Sequence, residues 1–195
     1  PYPNYMMGRG LTLGTTVWSP AASATSSSAG APRIVLGSTH LESFTGPADE
    51  LVRTAARREQ LVEACRVLAM EMKARGAACA MLLGDMNWDD NKHGEALKHI
   101  APTGWRDGFL EAGSPRGMSN TCYWNRFDRC FILDAGAAAA ASALRATGVH
   151  LAGKEQGPHL QGQQYTGSSG QLRKLYPSDH KGPLFTFEAR TRGGV

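Results

Sequence analysis

Residues 47–76 carry the strongest helical pattern in this chain. Their apolar positions recur at the three- and four-residue spacing that places side chains on one face of an α-helix. Pro47 and Glu50 are typical of a helix start, and Gly76 is typical of a helix end. The segment therefore predicts one long amphipathic helix. Its apolar positions are Leu51, Ala55, Leu61, Val62, Cys65, Leu68, Ala69 and Met72.

A continuous apolar run at residues 78–85 follows this helix and ends in a turn, which predicts a buried strand that delivers Asp85 to a loop. Four other segments have the β-branched or alternating pattern of strands. The order of elements is then two strands, a helix and three strands, which alternates too little for a parallel Rossmann sheet. We expect mixed α+β layers. The four other strand segments are residues 11–18, 33–40, 126–133 and 183–189.

The composition fits one packed domain, because 42% of the 195 residues are hydrophobic and 19% are charged. No apolar stretch is long enough to span a membrane. The four cysteines form no C-x-x-C pair, which favours reduced thiols and an intracellular location. A net charge of +4 mildly favours an anionic partner such as nucleic acid. Two low-complexity stretches, 19–32 and 135–143, are predicted to be insertions without chemistry.

Polar side chains cluster at predicted strand ends. Asp85 and Asn87 follow one buried strand, and His40 follows another. A carboxylate beside an amide can orient a water and hold a phosphoryl oxygen, the carboxylate taking the proton and the amide donating a hydrogen bond. Gly, Asp and Asn are also ordinary turn residues, so a plain turn is the alternative.

Asp179 and His180 directly precede the last predicted strand. Such a pair can hold an imidazole in one tautomer, or bind a metal through the carboxylate while the imidazole touches phosphate. A solvated loop histidine is the alternative. Asp128 lies between Arg126 and Arg129, where an ion-paired strand residue is the simpler interpretation.

Taken in order, these motifs resemble the endonuclease/exonuclease/phosphatase superfamily. They are H-L-E-S at 40–43, G-D-M-N-W-D-D at 84–90, R-F-D-R at 126–129 and P-S-D-H at 177–180. Within the superfamily, H-L-E-S and M-M-G-R at 6–9 resemble plant or algal 5′-tyrosyl-DNA phosphodiesterases. The resemblance implies a four-layer αββα sandwich of the DNase I type. It implies hydrolysis, dependent on Mg²⁺ or alternatively Mn²⁺, of the bond between a topoisomerase tyrosine and a DNA 5′ end.

The resemblance also implies roles for individual residues. Asp85 activates the attacking water, and Asn87 helps to hold the water and the phosphate. His180 stabilises the transition state, and Asp128 orients the His180 imidazole. His40 contacts the phosphate. Glu42 and Ser43 shape the wall where the DNA enters, Trp88 is a further substrate contact, and Asp179 lies near the metal.

The sequence departs from the superfamily pattern before His40. The superfamily places a strand Asn and a metal-binding Glu well before H-L-E-S, and neither is found before His40 here. Residues 1–195 are therefore expected to be the C-terminal portion of one domain, a monomer acting on DNA 5′ ends in nuclear DNA repair without a membrane. Another phosphodiesterase of the superfamily and an inert DNA-binding fragment remain the alternatives.

Overall fold

The computed structural model describes residues 1–2, 7–17, 32–43, 46, 49–116, 119–122, 125–136, 144–153, 161–166, 169–174 and 178–189. The five predicted strands and the predicted long helix are confirmed, with ends that shift by a few residues. The low-complexity stretches lie largely outside the described residues, as does Trp18. The first elements are β1 (Leu11–Val17), β2 (Arg33–His40), α1 (Glu50–Ala74) and β3 (Cys79–Asp85).

The second half of the chain contains short elements and further strands. They are α2 (Asp90–His93), two 3₁₀ turns (Ala96–His99 and Ala101–Thr103), β4 (Arg106–Asp107), α3 (Gly108–Glu111), β5 (Asp128–Asp134), β6 (Leu144–Ala152), β7 (Gln164–Thr166), β8 (Leu172–Lys174) and β9 (Gly182–Ala189).

The main sheet has five strands in the order β1-β2-β3-β5-β4. Only β2 and β3 are parallel, and α1 makes the crossover between them. The other neighbours in this sheet are antiparallel, so the sheet is of mixed strand direction. Strands β6 and β9 form a separate antiparallel ribbon.

Apolar side chains cover both faces of the main sheet. On one face, Leu61 and Leu68 of α1 join a core with Val35 and Leu82. On the other face, Ile132 packs with residues of the β6–β9 ribbon, including Ala146, Phe185 and Phe187. The described residues therefore form a helix layer, a sheet and a facing ribbon, which confirms the predicted α+β sandwich.

The first turns of α1 correct the predicted helix face. Leu51 and Val62 are exposed, at 87% and 42%. Arg57 and Gln60 are fully buried instead. They turn inward because Glu42 is also buried: Gln60 accepts a hydrogen bond from the Glu42 backbone N–H at 2.9 Å, and Arg57 donates to its carbonyl at 3.4 Å. A polar network thus replaces hydrophobic packing at this end of the helix.

Two observations agree with the composition. All four cysteines are buried and carry free thiols. Among the helices that the structure describes, none is both long enough and apolar enough to cross a membrane.

Gly84 allows β2 and β3 to approach each other next to the site. Its φ is +135°, and an added Cβ would stand 1.9 Å from the carbonyl oxygen of Thr39. We predict that Gly84→Ala lowers the free energy of unfolding by more than about 2 kcal/mol, because both the backbone strain and the clash must be relieved. Chemical denaturation measures this change.

The matched control is Gly14→Ala in β1, where an added Cβ meets no atom within 4 Å. This variant should stay within about 1 kcal/mol of the wild type. A Gly84→Ala protein as stable as Gly14→Ala would contradict the prediction.

Candidate active site

Three neighbouring strands place one polar residue each on the same rung of the main sheet. His40 ends β2 and is paired in register with Asp85, which ends β3. Asp85 is paired in turn with Asp128, the first residue of β5. The parallel strands β2 and β3 end at the same edge, so residues far apart in the chain meet there. The loop before β9 adds His180 to this edge.

Asp85 lies between two imidazoles. Its Oδ2 is 3.2 Å from Nε2 of His40 and 3.8 Å from Nε2 of His180. The other ring nitrogen of His180, Nδ1, is 2.8 Å from Oδ2 of Asp128. The predicted pairing of His180 with Asp128 is thus present in the structure. The contacts run from Asp128 through the His180 imidazole to Asp85.

Asn87 and Ser43 extend the site on one side. Asn87 has a φ of 46°, a turn conformation that brings its backbone N–H to Oδ1 of Asp85 at 2.7 Å. Its side-chain Nδ2 donates to the carbonyl of Leu41 at 3.0 Å and to Oγ of Ser43 at 3.2 Å. Both amide hydrogens are then used inside the protein. The prediction that this amide donates to a phosphoryl oxygen is corrected, because only Oδ1 is left to face a substrate.

Arg9 approaches the same group of residues and has no role in the sequence prediction. Its Nη2 donates to Oγ of Ser43 at 2.5 Å, and its charge acts on His40. Its Nε is buried and has no hydrogen-bond acceptor among the described residues. Arg9 also lines a polar groove of about 280 Å³ whose walls include Gly8, Thr12 and His40. A guanidinium charge beside an open groove suits an anion.

Thr121 connects the backbone segments that carry Asp128 and His180. Its hydroxyl accepts hydrogen bonds from the backbone N–H groups of Phe127 and Asp128, each at 3.0 Å. Its carbonyl accepts the N–H of Lys181 at 2.7 Å. One residue therefore holds the start of β5 and the loop of His180 together. Sequence reasoning missed it because a lone Thr has no motif.

The pKa values of the two imidazoles are shifted in opposite directions. Burial lowers the pKa of His40, and the charges of Arg9 and His180 add to this effect, although Asp85 opposes it. Burial also acts to lower the pKa of His180, but the hydrogen bond and charge of Asp128, with the charge of Asp85, raise it above its ordinary value. Burial raises the pKa of Asp85. The site therefore pairs an imidazole biased to be neutral with one biased to be charged, around a carboxylate that accepts a proton readily.

Two predicted substrate contacts are corrected by burial. The Glu42 side chain is fully buried and is paired with Arg53 at 3.0 Å. Trp88 is only 1% exposed, and its Nε1 donates to the carbonyl of Gly94 at 2.7 Å. Neither side chain can contact DNA from these buried positions, so both stabilise the structure beneath the site.

Asp179, the predicted metal residue, is exposed and lies next to Cys122 and His180. A magnesium site needs oxygen ligands. Among the described residues, the group that could hold a metal ion is Cys122, Asp179 and His180, in which Asp179 is the only carboxylate. A thiol and an imidazole are poor ligands for Mg²⁺ or Mn²⁺ compared with oxygen donors. The described residues therefore do not form a magnesium site.

No protein-family model matches the chain, and no curated protein matches it. Solved structures do match. TDP2 from D. rerio, humanized by 14 mutations, superposes with a TM-score of 0.60 at 21% identity, over 95% of this chain and 63% of that one. D. rerio TDP2 complexed with a single-strand DNA product gives 0.59 at 22% identity, over 95% and 64%. An endonuclease/exonuclease/phosphatase from Bacteroides vulgatus gives 0.52 at 15% identity, over 83% and 52%.

This chain has the endonuclease/exonuclease/phosphatase fold. The fold resemblance inferred from the motifs is thereby confirmed. The chain spans less than two thirds of the length of the TDP2 structures that it matches.

The contact between His180 and Asp128 leads to a prediction about proton affinity. Asp128→Asn removes the charge that raises the pKa of His180, so this pKa should fall. A histidine-selective NMR titration without added metal measures the change. Asp134→Asn, at the other end of β5, is the control and should leave the His180 titration where it is. A His180 pKa that is the same in Asp128→Asn and wild type would show that the carboxylate does not govern the imidazole.

Proposed function

We propose that this protein is a phosphodiesterase that hydrolyses the bond between a tyrosine and a DNA 5′ phosphate. The observation that carries the proposal is the position of Asp85, with one oxygen shared between the imidazoles of His40 and His180. Such a site combines a proton acceptor with two groups that can stabilise a phosphoryl oxyanion. The resemblance of the motifs supports a 5′-phosphotyrosyl substrate.

The reaction begins with a water beside Asp85. Asp85 takes a proton from this water while the oxygen attacks phosphorus, and Oδ1 of Asn87 is available to orient the second hydrogen. The raised pKa of Asp85 suits a general base, because a carboxylate that holds its proton more tightly abstracts it more readily.

The imidazoles act on the developing charge. His180 is held by Asp128 in the orientation and charge state that stabilise a phosphoryl oxygen. His40 lies on the opposite side of the Asp85 carboxylate and is half exposed, so it can contact the substrate phosphate. The leaving group is a tyrosine phenolate, and the pKa of the tyrosine hydroxyl is about 10. A phenolate therefore needs less help from a general acid than a sugar alkoxide does. The products are a free tyrosyl group and a DNA 5′ phosphate.

The groove beside β1 and β2 is the proposed path of the DNA strand. It is lined by Gly8 and Gly10, which leave room for a backbone, and by Arg9. The D. rerio TDP2 structure is complexed with a single-strand DNA product, which supports a single-stranded 5′ end as the substrate here. We extend the proposal to removal of trapped topoisomerase remnants in the nucleus by a monomer.

The first test compares site variants on a 5′-phosphotyrosyl oligonucleotide. We predict that Asp85→Asn and His180→Ala each lower the single-turnover rate by at least about 10²-fold, because each removes a group needed in the transition state. His150→Ala is the matched control, since His150 is an exposed histidine of β6 that is not part of the rung. It should retain the wild-type rate.

The same assay decides between substrates. An abasic-site duplex and a polyadenylate strand are run beside the phosphotyrosyl oligonucleotide. Faster turnover of either one would favour another phosphodiesterase of this fold. If Asp85→Asn turned over as fast as the wild type on every substrate, Asp85 would have no part in the chemistry, and the proposal would be wrong.

Arg9 should contribute to binding more than to chemistry. We predict that Arg9→Ala weakens binding of a single-stranded 5′-phosphorylated oligonucleotide and reduces the slope of log affinity against log salt by about 0.7, the value for one phosphate contact on a single strand. Arg145→Ala, an exposed arginine of β6, is the control and should keep the wild-type slope. Equal slopes for all three proteins would remove Arg9 from the DNA path.

A further inference from the structure

Cys122 lies at the edge of the site, and the proposed hydrolysis does not use its thiol. Its sulfur, one ring nitrogen of His180 and a carboxylate oxygen of Asp179 all lie within 4.8 Å of one another. The three groups are a thiol, an imidazole and a carboxylate, which together form the ligand set of zinc and not that of magnesium.

The backbone holds this group in place. Cys122 exchanges two backbone hydrogen bonds with Asn125, at 3.1 and 2.9 Å, which fix the backbone that carries the thiol. The neighbouring carbonyl of Thr121 accepts the N–H of Lys181 at 2.7 Å, and this bond links that backbone to the loop of Asp179 and His180. The ligands therefore come from two loops that are joined before any ion arrives.

His180 already has the second contact that a metal-bound histidine usually makes. Its Nδ1 is 2.8 Å from Oδ2 of Asp128, which leaves Nε2 for a metal. A carboxylate behind a ligating imidazole fixes the ring and strengthens the nitrogen as a donor.

The surroundings suit a dication. Asp179, Asp85 and Asp128 all act on the Cys122 sulfur through their negative charges, with Lys181 as the opposing positive charge. Asp85 keeps its contact with His40, so a solvent water completes the tetrahedral coordination. Because Asp179 is exposed, its carboxylate can move inward to bind the ion.

We propose that Cys122, Asp179 and His180 bind a thiophilic divalent cation of the Zn²⁺ type at the edge of the site. The ion forms a metal–sulfur bond as the S–H bond breaks, and the proton passes to the solvent. Bound there, it occupies Nε2 of His180 and takes that imidazole away from a substrate phosphate. This second consequence, inhibition by zinc, rests on the proposed function. The metal site does not.

Cobalt(II) is the spectroscopic probe. The wild-type protein should bind one Co²⁺ with thiolate-to-metal charge-transfer absorption in the near ultraviolet, and Zn²⁺ should displace it while excess Mg²⁺ does not. Cys122→Ala should lose this absorption. Cys65→Ala, which removes another buried thiol from the core beneath α1, should keep it. Absorption that is absent in the wild type, or that persists in Cys122→Ala, overturns the site.

A second variant tests the same site if Cys122→Ala fails to fold. Asp179 is exposed, so Asp179→Asn should fold normally and still lower the Zn²⁺ affinity at least about tenfold in a competition with a chromophoric chelator. Unchanged affinity overturns the proposed ligand set.

Activity measurements then distinguish the proposed metal site from the proposed phosphodiesterase function. Zn²⁺ should inhibit hydrolysis by the wild type, reversibly with a chelator, and should inhibit Cys122→Ala much less. A protein that binds Co²⁺ through Cys122 but cleaves no phosphodiester contradicts the proposed function and leaves the metal site intact. An active protein that binds the metal without inhibition overturns the claim that the ion captures His180.

Discussion

The pairing of β2, β3 and β5 in one register is the constraint on which the site depends. Parallel pairing aligns the ends of β2 and β3, and antiparallel pairing brings the start of β5 to the same edge. His40, Asp85 and Asp128 meet only because of this register, and a slip of one residue would turn their side chains to the opposite face. Gly84 permits the close approach of the two parallel strands at this point. Fold and chemistry are therefore set by the same backbone contacts.

Charge balance explains how these groups coexist. His180, the imidazole biased to be charged, lies 3.8 Å from Asp85 and 2.8 Å from Asp128, so one positive charge compensates both carboxylates in part. The backbone N–H of Asn87 offsets part of the cost of burying Asp85. Arg9 supplies a positive charge on the groove side, where an anionic strand would lie.

Much of the fold and part of the site could be predicted from the sequence. Apolar runs and helical spacing predicted β2, β3, β5, β9 and α1, and short motifs identified Asp85 and His180. Strand β6 was missed, since its mixture of Arg, Thr, Gly and His shows no clear alternation. The inward turn of Arg57 and the burial of Glu42 depend on each other across the chain, and no local pattern encodes them. Thr121 and Arg9 also act through contacts between distant segments.

The central claim is that His40 and His180 face one phosphate-binding space shared with Asp85. The most direct measurement is a histidine-selective NMR titration with a single-stranded oligonucleotide that carries a 5′ phosphate, the proposed product. The account predicts that the imidazole signals of His40 and His180 shift together along one saturation curve, while the signal of exposed His150 stays in place. Shifts confined to one of the two imidazoles, or to neither, would contradict a shared site.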